Sequence, residues 1–446
     1  MNKKIKASKE SKAIYSRATK VLTGGVSRNT IFRKPHPFYV STANGSYITD
    51  VDGCKRLDFA NNMASLIHGH SHPKIIEAVT KQLKRGSAFT MGSEIEVNFA
   101  ELLNNRTKSF EKTRFMNSGT EAVMTMIKAA RVYTGKHKIA KAEGSYHGTY
   151  DYAEISQTSS PSNWGSIEKP NPVPVVEETP KGVLDDMIIF PYNNIERTIK
   201  LLNDNVNDIA CVLIDLVPHR VGLIPGTKEY IKAIYKWTRD NNTILAFDEV
   251  VTYRVNYSGA QENYDVEPDL TALGKIIGGG FPIGALAGKS EIMQVLDPRE
   301  TVLKHPHSGT FSANPISLTA GYTAMSIFNK QAVLDLNKLT KKAIEQVEEA
   351  IKIAEIPACV TGSGSMFRIH LRDKKPTTYR ETYQGNKEKE IIKELLDYLL
   401  VKEDIIMINT CSCMFATSLN QKHIDKLSEA LLNGFRIIKP KLEKIL

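Results

Sequence analysis

Two side chains carry the reactive groups of this chain. Asp248 closes an apolar run, Thr243-Ile244-Leu245-Ala246-Phe247, and Glu249 follows it. Lys275 lies in an apolar setting and is followed by three glycines, Gly278, Gly279 and Gly280. A buried strand that delivers a carboxylate to its C-terminal end marks the ligand side of an open α/β sheet. A lysine among apolar residues and glycines is placed to lose its proton and act as a nucleophile.

Other groups recur around this pair. Asn117-Ser118-Gly119-Thr120-Glu121-Ala122 is a turn that opens a helix. Ser118, Gly119 and Thr120 there offer free N–H groups, two hydroxyls and the positive end of the helix dipole. That suits a phosphate, or else an ordinary helix cap; the GxxxxGK[ST] loop is absent. Glu143-Gly144-Ser145-Tyr146-His147-Gly148 sets an aromatic and a histidine between glycines. It suggests a ring laid against a flat ligand, with Tyr146 as a core residue the plainer alternative. Arg28 follows two glycines and is either a ligand contact or a surface arginine. Thr310, in the polar loop His305–Pro315, is a hydroxyl of the kind that contacts phosphate or simply a turn residue. His68, His70 and His72 alternate but have no carboxylate or cysteine cluster beside them, so no metal site is expected. Pro73 instead suits a helix start. Asp248 and Lys275 together point to pyridoxal 5'-phosphate (PLP): the carboxylate on the ring nitrogen, the amine forming a Schiff base.

The surrounding elements alternate. Short strand-like runs cover Phe38–Val40 and Ser46–Asp50, and a helical pattern runs from Lys74 to Arg85 with Ile75, Ile76, Val79 and Leu83 on its apolar face. From Arg114 to Gly288, strands and helices follow one another in βαβα order. That order implies a doubly wound, mostly parallel sheet in an α/β fold, with Asp215 and Asp248 on one edge. Residues 156–182 are a Ser- and Pro-rich connection, read as a flap over the site. Beyond residue 322, helices alternate with short strands. The expected layout is an N-terminal segment 1–62 that contributes to a small domain, a large domain 63–322 and a C-terminal small domain 323–446.

Composition narrows the function classes. The 446 residues are 41% hydrophobic and 24% charged, as in soluble globular proteins. The formal charge is +10, but the basic residues form no aromatic-interleaved block, so no nucleic-acid partner is expected. No apolar run approaches the roughly 20 residues of a membrane span. The basic N-terminus lacks an apolar signal core; it reads as an amphipathic helix with Ala7, Ile14, Ala18 and Val21 on one face. Five cysteines at irregular spacing suit neither zinc nor a disulfide framework, which fits a cytoplasmic protein.

In order, the segments N-S-G-T-E-A, G-S-Y-H-G, F-D-E-V, P-D-L-T-A-L-G-K-I-I-G-G-G-F-P-I-G-A and H-S-G-T-F-S-A-N-P resemble the class III PLP-dependent aminotransferases, nearest the glutamate-1-semialdehyde 2,1-aminomutase branch. The resemblance implies fold type I and a homodimer with sites at the subunit interface. It gives Lys275 the Schiff base and the proton transfers, and Asp248 the ring nitrogen. Val250 and Tyr146 would cover the two ring faces, with His147 beside them. Ser118, Gly119 and Thr120 would bind the phosphate, and Thr310 would reach it from the partner subunit.

The chain also departs from that branch. Ser27-Arg28-Asn29-Thr30 stands where the branch has N-S-P-V-R, and Ser-Trp-Gly-Pro near Met63 is absent, as is the glycine-rich gating loop. G-G-V-S-R-N-T looks more like transaminases of β- and other amino acids, where the arginine grips the substrate carboxylate, the role expected of Arg28; Arg220 and Arg254 are alternatives. The expected function is therefore transamination between an amino acid and a keto acid or aldehyde through pyridoxamine phosphate. The aminomutase reaction, which yields 5-aminolevulinate, is the alternative.

Overall fold

The structure is a computed structural model and describes residues 8–445. A seven-stranded sheet forms its centre. In chain order its strands are β4 (Lys112–Met116), β5 (Lys138–Ala142), β6 (Met187–Phe190), β7 (Ile209–Ile214), β8 (Ile244–Asp248), β9 (Leu270–Gly274) and β10 (Gly284–Gly288). The spatial order is β4-β10-β9-β8-β7-β5-β6. β5, β6, β7, β8 and β9 pair in parallel, while β10 runs antiparallel between β4 and β9. Every residue of β6 to β10 is buried. Their near-continuous Ile, Leu, Val and Ala follow from that, because both faces of the sheet are covered.

Smaller sheets flank it. β1 (Val40–Asn44), β2 (Tyr47–Asp50) and β3 (Lys55–Asp58) form a meander, and β13 (Ile405–Ile406) from near the chain's end pairs in parallel with β3. β11 (Cys359–Ser363), β12 (Met366–His370) and β14 (Ser412–Met414) form a third sheet. Helices Lys330–Ala354, Asn386–Lys402 and Gln421–Leu442 pack on these strands. Their apolar faces join Leu57 and Phe59 in one cluster, so the two ends of the chain share a core.

Some sequence expectations shift by a residue or two. The strand expected at Phe38–Val40 begins at Val40 instead. The helix at Pro73–Leu83 starts on its proline but buries only Ile75 and Val79, leaving Ile76 and Leu83 exposed. Helix Lys9–Val21 buries Ala18 and exposes Val21; Ala7 lies outside the described residues. Among the described residues no group of His, Cys, Asp and Glu is arranged to hold a metal, and no helix is long and apolar enough to cross a membrane. The alternating histidines have separate duties. His68 joins Thr417 Oγ1 and the Ala324 carbonyl, each at 2.9 Å, and His70 meets Asp58 at 2.9 Å.

The buried histidines make a prediction about acid stability. Burial lowers His68 to about 4 and His370 to about 3. The unfolded chain protonates these rings near pH 6.5, whereas the folded chain stays neutral until about pH 4 or below. Protons therefore favour unfolding across that window, and stability falls as pH drops from about 6.5 to 4. Each ring contributes up to about 1.4 kcal/mol per pH unit. Urea midpoints at several pH values should show the decline, and His68→Gln should flatten it.

Candidate active site

Parallel strands bring their C-terminal ends to one edge, and the reactive groups collect there. Asn117–Thr120 follow β4, Glu143–Gly148 follow β5, Asp215 follows β7, Asp248 ends β8 and Lys275 follows β9. They line a cavity of about 350 Å³, which receives Ser118, Gly119, Thr120, Tyr146, His147, Asp248, Val250 and Lys275.

Lys275 is partly buried and has φ of 46°, in the left-handed region that a lysine rarely adopts. Burial lowers the pKa of its ammonium, while Asp248 and Asp215 pull it back up. Asp248 is 4% exposed. Its Oδ1 accepts from the Val250 N–H at 3.0 Å and its Oδ2 from His147 Nδ1 at 2.7 Å. A carboxylate only accepts, so the His147 proton sits on Nδ1. His147 Nε2 is buried with no hydrogen-bond partner among the described residues, and burial lowers the pKa of this imidazole. Burial thus favours the neutral form of the histidine that faces Asp248. Asp215 also lines the cavity; burial, then the charge of Asp248, push its carboxyl well above the usual range. Its place on the same sheet edge was readable from the strand pattern, but its entry into the cavity was not.

The turn at Ser118 is both a cap and an anion cradle. Ser118 Oγ accepts from the Glu121 N–H at 3.2 Å, and Glu121 Oε2 accepts from the N–H groups of Ser118 and Asn117 at 3.1 and 2.5 Å. This capping box opens helix Gly119–Thr134. The N–H groups of Gly119 and Thr120 lie outside this capping box, at the helix start where the dipole favours an anion. A Cβ at residue 119 would lie 2.8 Å from Val250 Cγ1, so only glycine lets the turn and Val250 close together. An anion cradle, a buried carboxylate and an amine of lowered pKa fit a phosphorylated cationic ring.

Tyr146 is 38% exposed rather than a core residue. The Arg220 guanidinium lies 4.8 Å from its ring centre and donates weakly to the Gln157 carbonyl at 3.4 Å, so it backs the ring. Arg28 is exposed and donates to Asn62 Oδ1 at 2.9 Å. Asn62 itself lines the cavity, and no motif in the sequence marked it.

It gets there through an unusual backbone. Asn61, Asn62, Met63 and Ala64 have φ of 45°, 46°, 55° and 72°, a left-handed turn that costs roughly 1–2 kcal/mol per residue. Asp58 Oδ1 holds it from the N–H groups of Ala60 and Asn61, Asn61 donates to the Met414 carbonyl at 2.7 Å, and Arg254 Nη1 to that of Ala64 at 3.3 Å. Arg254 is fully buried and also holds Ser365 Oγ and the Phe415 carbonyl, so it is no carboxylate clamp.

Thr310 is exposed and does not line the cavity of its own chain. The 156–182 segment contributes no lining residue either. It is tied down: Arg380 donates to the carbonyls of Trp164, Gly165 and Ser166 at 3.0, 2.9 and 3.2 Å, and pairs with buried Glu143 at 2.8 Å. Tyr379 donates to the Ser159 carbonyl at 2.6 Å.

Comparison with known proteins places this arrangement. Residues 31–433 match the family described as aminotransferase class-III. The glutamate-1-semialdehyde 2,1-aminomutase of Methanothermobacter thermautotrophicus is 34% identical over 432 residues, which are 96% of this chain and 100% of that one. An omega-transaminase from Sphaerobacter thermophilus is 40% identical with a TM-score of 0.94, over 96% of this chain and 97% of that one. A transaminase solved with PLP bound is 35% identical with a TM-score of 0.89, over 98% and 99%.

Proposed function

This chain belongs to the class III aminotransferases, PLP-dependent enzymes, and from that premise we propose that it transfers an amino group from an amino acid, including β-amino acids, to a keto acid or aldehyde. The observation that carries this reading is Arg28 hydrogen-bonded to cavity-lining Asn62, a cation at the rim where a substrate carboxylate can be gripped.

Each group has a stated task. The cofactor supplies an electron sink for the bond electrons left when a proton departs from the substrate carbon bearing nitrogen. Ser118 and Thr120 through their hydroxyls, and Gly119 and Thr120 through their N–H groups, would hold its phosphate. Buried Asp248 holds a proton on the ring nitrogen, and pairing of opposite charges offsets their desolvation. Tyr146 and Val250 cover the ring faces, and His147 orients Asp248 through Nδ1–H. Lys275 is the amine that would hold the cofactor; displaced from it by the substrate's own amine, it would as a neutral base take the proton from the substrate carbon and return it to the adjoining position. Burial lowers its pKa against the pull of Asp248 and Asp215, which favours the neutral amine this task needs. Two copies of the chain would complete each site, with the partner's loop bringing its threonine to the phosphate. Val302 (73% exposed), Leu303 (36%) and Phe311 (58%) flank that loop and would be covered in such a homodimer.

A second reading is transfer within one molecule, from glutamate 1-semialdehyde to 5-aminolevulinate. The names of the curated relatives support it better than they support transamination. The anchored 156–182 segment supports the first reading, because a mutase must close over an intermediate that can escape. Substrate dependence decides between them. Purified enzyme with PLP should lose its visible absorption band when a carboxylate-bearing amino donor is added, and a keto acid or aldehyde should restore it. Steady conversion of glutamate 1-semialdehyde with no second substrate would overturn transamination in favour of the mutase. Arg28→Ala should raise KM for carboxylate donors about tenfold or more, the effect of about 1.4 kcal/mol or more from a charge-assisted contact, with kcat changed less. An unchanged KM would remove Arg28 from the site.

A further inference from the structure

Lys141 is a second lysine near the site, fully buried where Lys275 is partly so. It lies in β5 with no exposed surface. Its Nζ donates to three main-chain carbonyls, those of Ser145 at 2.9 Å, Ala153 at 2.7 Å and Ile155 at 2.8 Å. The three acceptors match the three hydrogens of an ammonium, one more than a neutral amine can supply. They also bracket one loop. Ser145 precedes Tyr146 and His147, while Ala153 and Ile155 close the same excursion. Among the described residues no carboxylate pairs with Lys141; the charged groups acting on it are Arg220, Asp248 and Glu154, and it acts in turn on His147.

We propose that Lys141 is a positioning residue of the cofactor site: its ammonium clamps the loop that carries Tyr146 and His147, and its charge holds His147 neutral so that the negative charge of Asp248 stays available to the ring nitrogen.

The geometry requires both halves. His147 Nδ1 faces Asp248 and Nε2 is buried without a partner, so a second proton would create a buried charged donor with no acceptor. Beside a carboxylate a histidine ordinarily gains a proton. Burial opposes this first, and the Lys141 charge opposes it further. A doubly protonated His147 would neutralise Asp248 by itself and leave the ring nitrogen without its anion. Burial, then Arg220, lower Lys141 to about 7, whereas Asp248 and Glu154 favour the ammonium. The loop is also closely fitted: Gly148 has φ of +95°, and a Cβ there would lie 2.6 Å from Thr120 Oγ1 of the phosphate turn. Loosening the clamp therefore disturbs ring and phosphate contacts together.

The inference rests on the proposed roles of Asp248 and His147, not on the choice of substrate. Histidine labelled with ¹⁵N in the cofactor-free wild-type chain tests it, the His147 signals being assigned by their loss in His147→Gln. His147 should remain neutral, with its proton on Nδ1, across the range in which an ordinary histidine takes up its second proton; a ring doubly protonated there overturns the proposal. Lys141→Met should raise the His147 protonation midpoint by about one pH unit and weaken PLP binding about 10–100-fold, the range for groups that orient a ligand-binding side chain. Lys141→Arg should restore the neutral ring through its charge without restoring affinity, since a guanidinium cannot reproduce the three-carbonyl geometry. An unchanged His147 midpoint in Lys141→Met overturns the electrostatic half even if cofactor affinity falls. Should Lys141→Met not fold, Lys141→Gln, which keeps a polar stem and removes the charge, carries the same two readouts. Altered PLP binding with His147 as predicted in the free chain would separate a fault in the clamp from a fault in the ring assignment.

Discussion

Lys275→Ala is expected to lose turnover by at least about 10³-fold and to show no visible absorption band with PLP, while still binding the cofactor. General acid–base transfer alone accounts for about 10²–10⁴ in rate, and the alanine variant has no replacement for it. The structure supports a single lysine in this role. Lys275 opens the turn after β9, faces Asp248 and Asp215, and has its pKa lowered by burial. Lys141, the other buried lysine, has all three hydrogens committed to carbonyls and cannot substitute. The left-handed backbone at Lys275 is held by the packed residues around it, so alanine should leave the fold intact, with thermal unfolding close to that of the wild type. Exogenous methylamine should restore part of the proton transfer. Turnover within tenfold of the wild type would end the assignment.

Asp248→Asn is expected to lower kcat by about 10²–10³, the usual cost of removing one preorganised electrostatic stabiliser. Asparagine keeps the shape but only one acceptor: Asp248 takes the Val250 N–H on Oδ1 and the His147 Nδ1–H on Oδ2, so the amide oxygen can keep the first while its NH2 faces a His147 whose proton has moved to Nε2. What it removes is the charge. A ring nitrogen without an anion holds its proton less firmly and draws electrons less well from the substrate carbon. KM for the donor should change little, because Asp248 is buried and Arg28 is exposed at the rim. Asp248→Ala should do more harm: it strands the buried His147 Nδ1–H, which costs about 1–3 kcal/mol in stability. Asparagine and alanine giving equal, small losses would count against any charge role. Asp215 makes a control. Burial, then the charge of Asp248, push its carboxyl well up and so disfavour its ionised form, and Asp215→Asn should cost far less than Asp248→Asn.

These expectations depend on how separate stretches of chain meet. Local features were legible because they follow from short-range rules. The buried runs of β6 to β10 announce a covered sheet, and N-S-G-T-E encodes a capping box within five residues. The βαβα order then requires strand C-termini on one edge, which places Asp248, the Ser118 turn and Lys275 together without any knowledge of their contacts. The motifs around Asp248 and Lys275 suffice for the family and the cofactor.

Tertiary structure decided the rest, because the partners are far apart in the chain and leave no periodic trace. His147 and Asp248 meet across 101 residues. Arg254, adjacent to the site in sequence, faces away from it to hold Ala64, Ser365 and Phe415. Arg380, from the C-terminal part, pins the segment that composition suggested as a flap, since a Pro-rich stretch reads as mobile until its carbonyls find donors. Asn62 enters the cavity only because Asp58, Met414 and Arg254 sustain a left-handed turn that its own residues disfavour. Residue types and their order determined the chemistry that this chain can perform; long-range packing decided which charges remain buried, which are paired and which face the ligand, because those depend on the desolvation and hydrogen bonding that only the folded chain imposes.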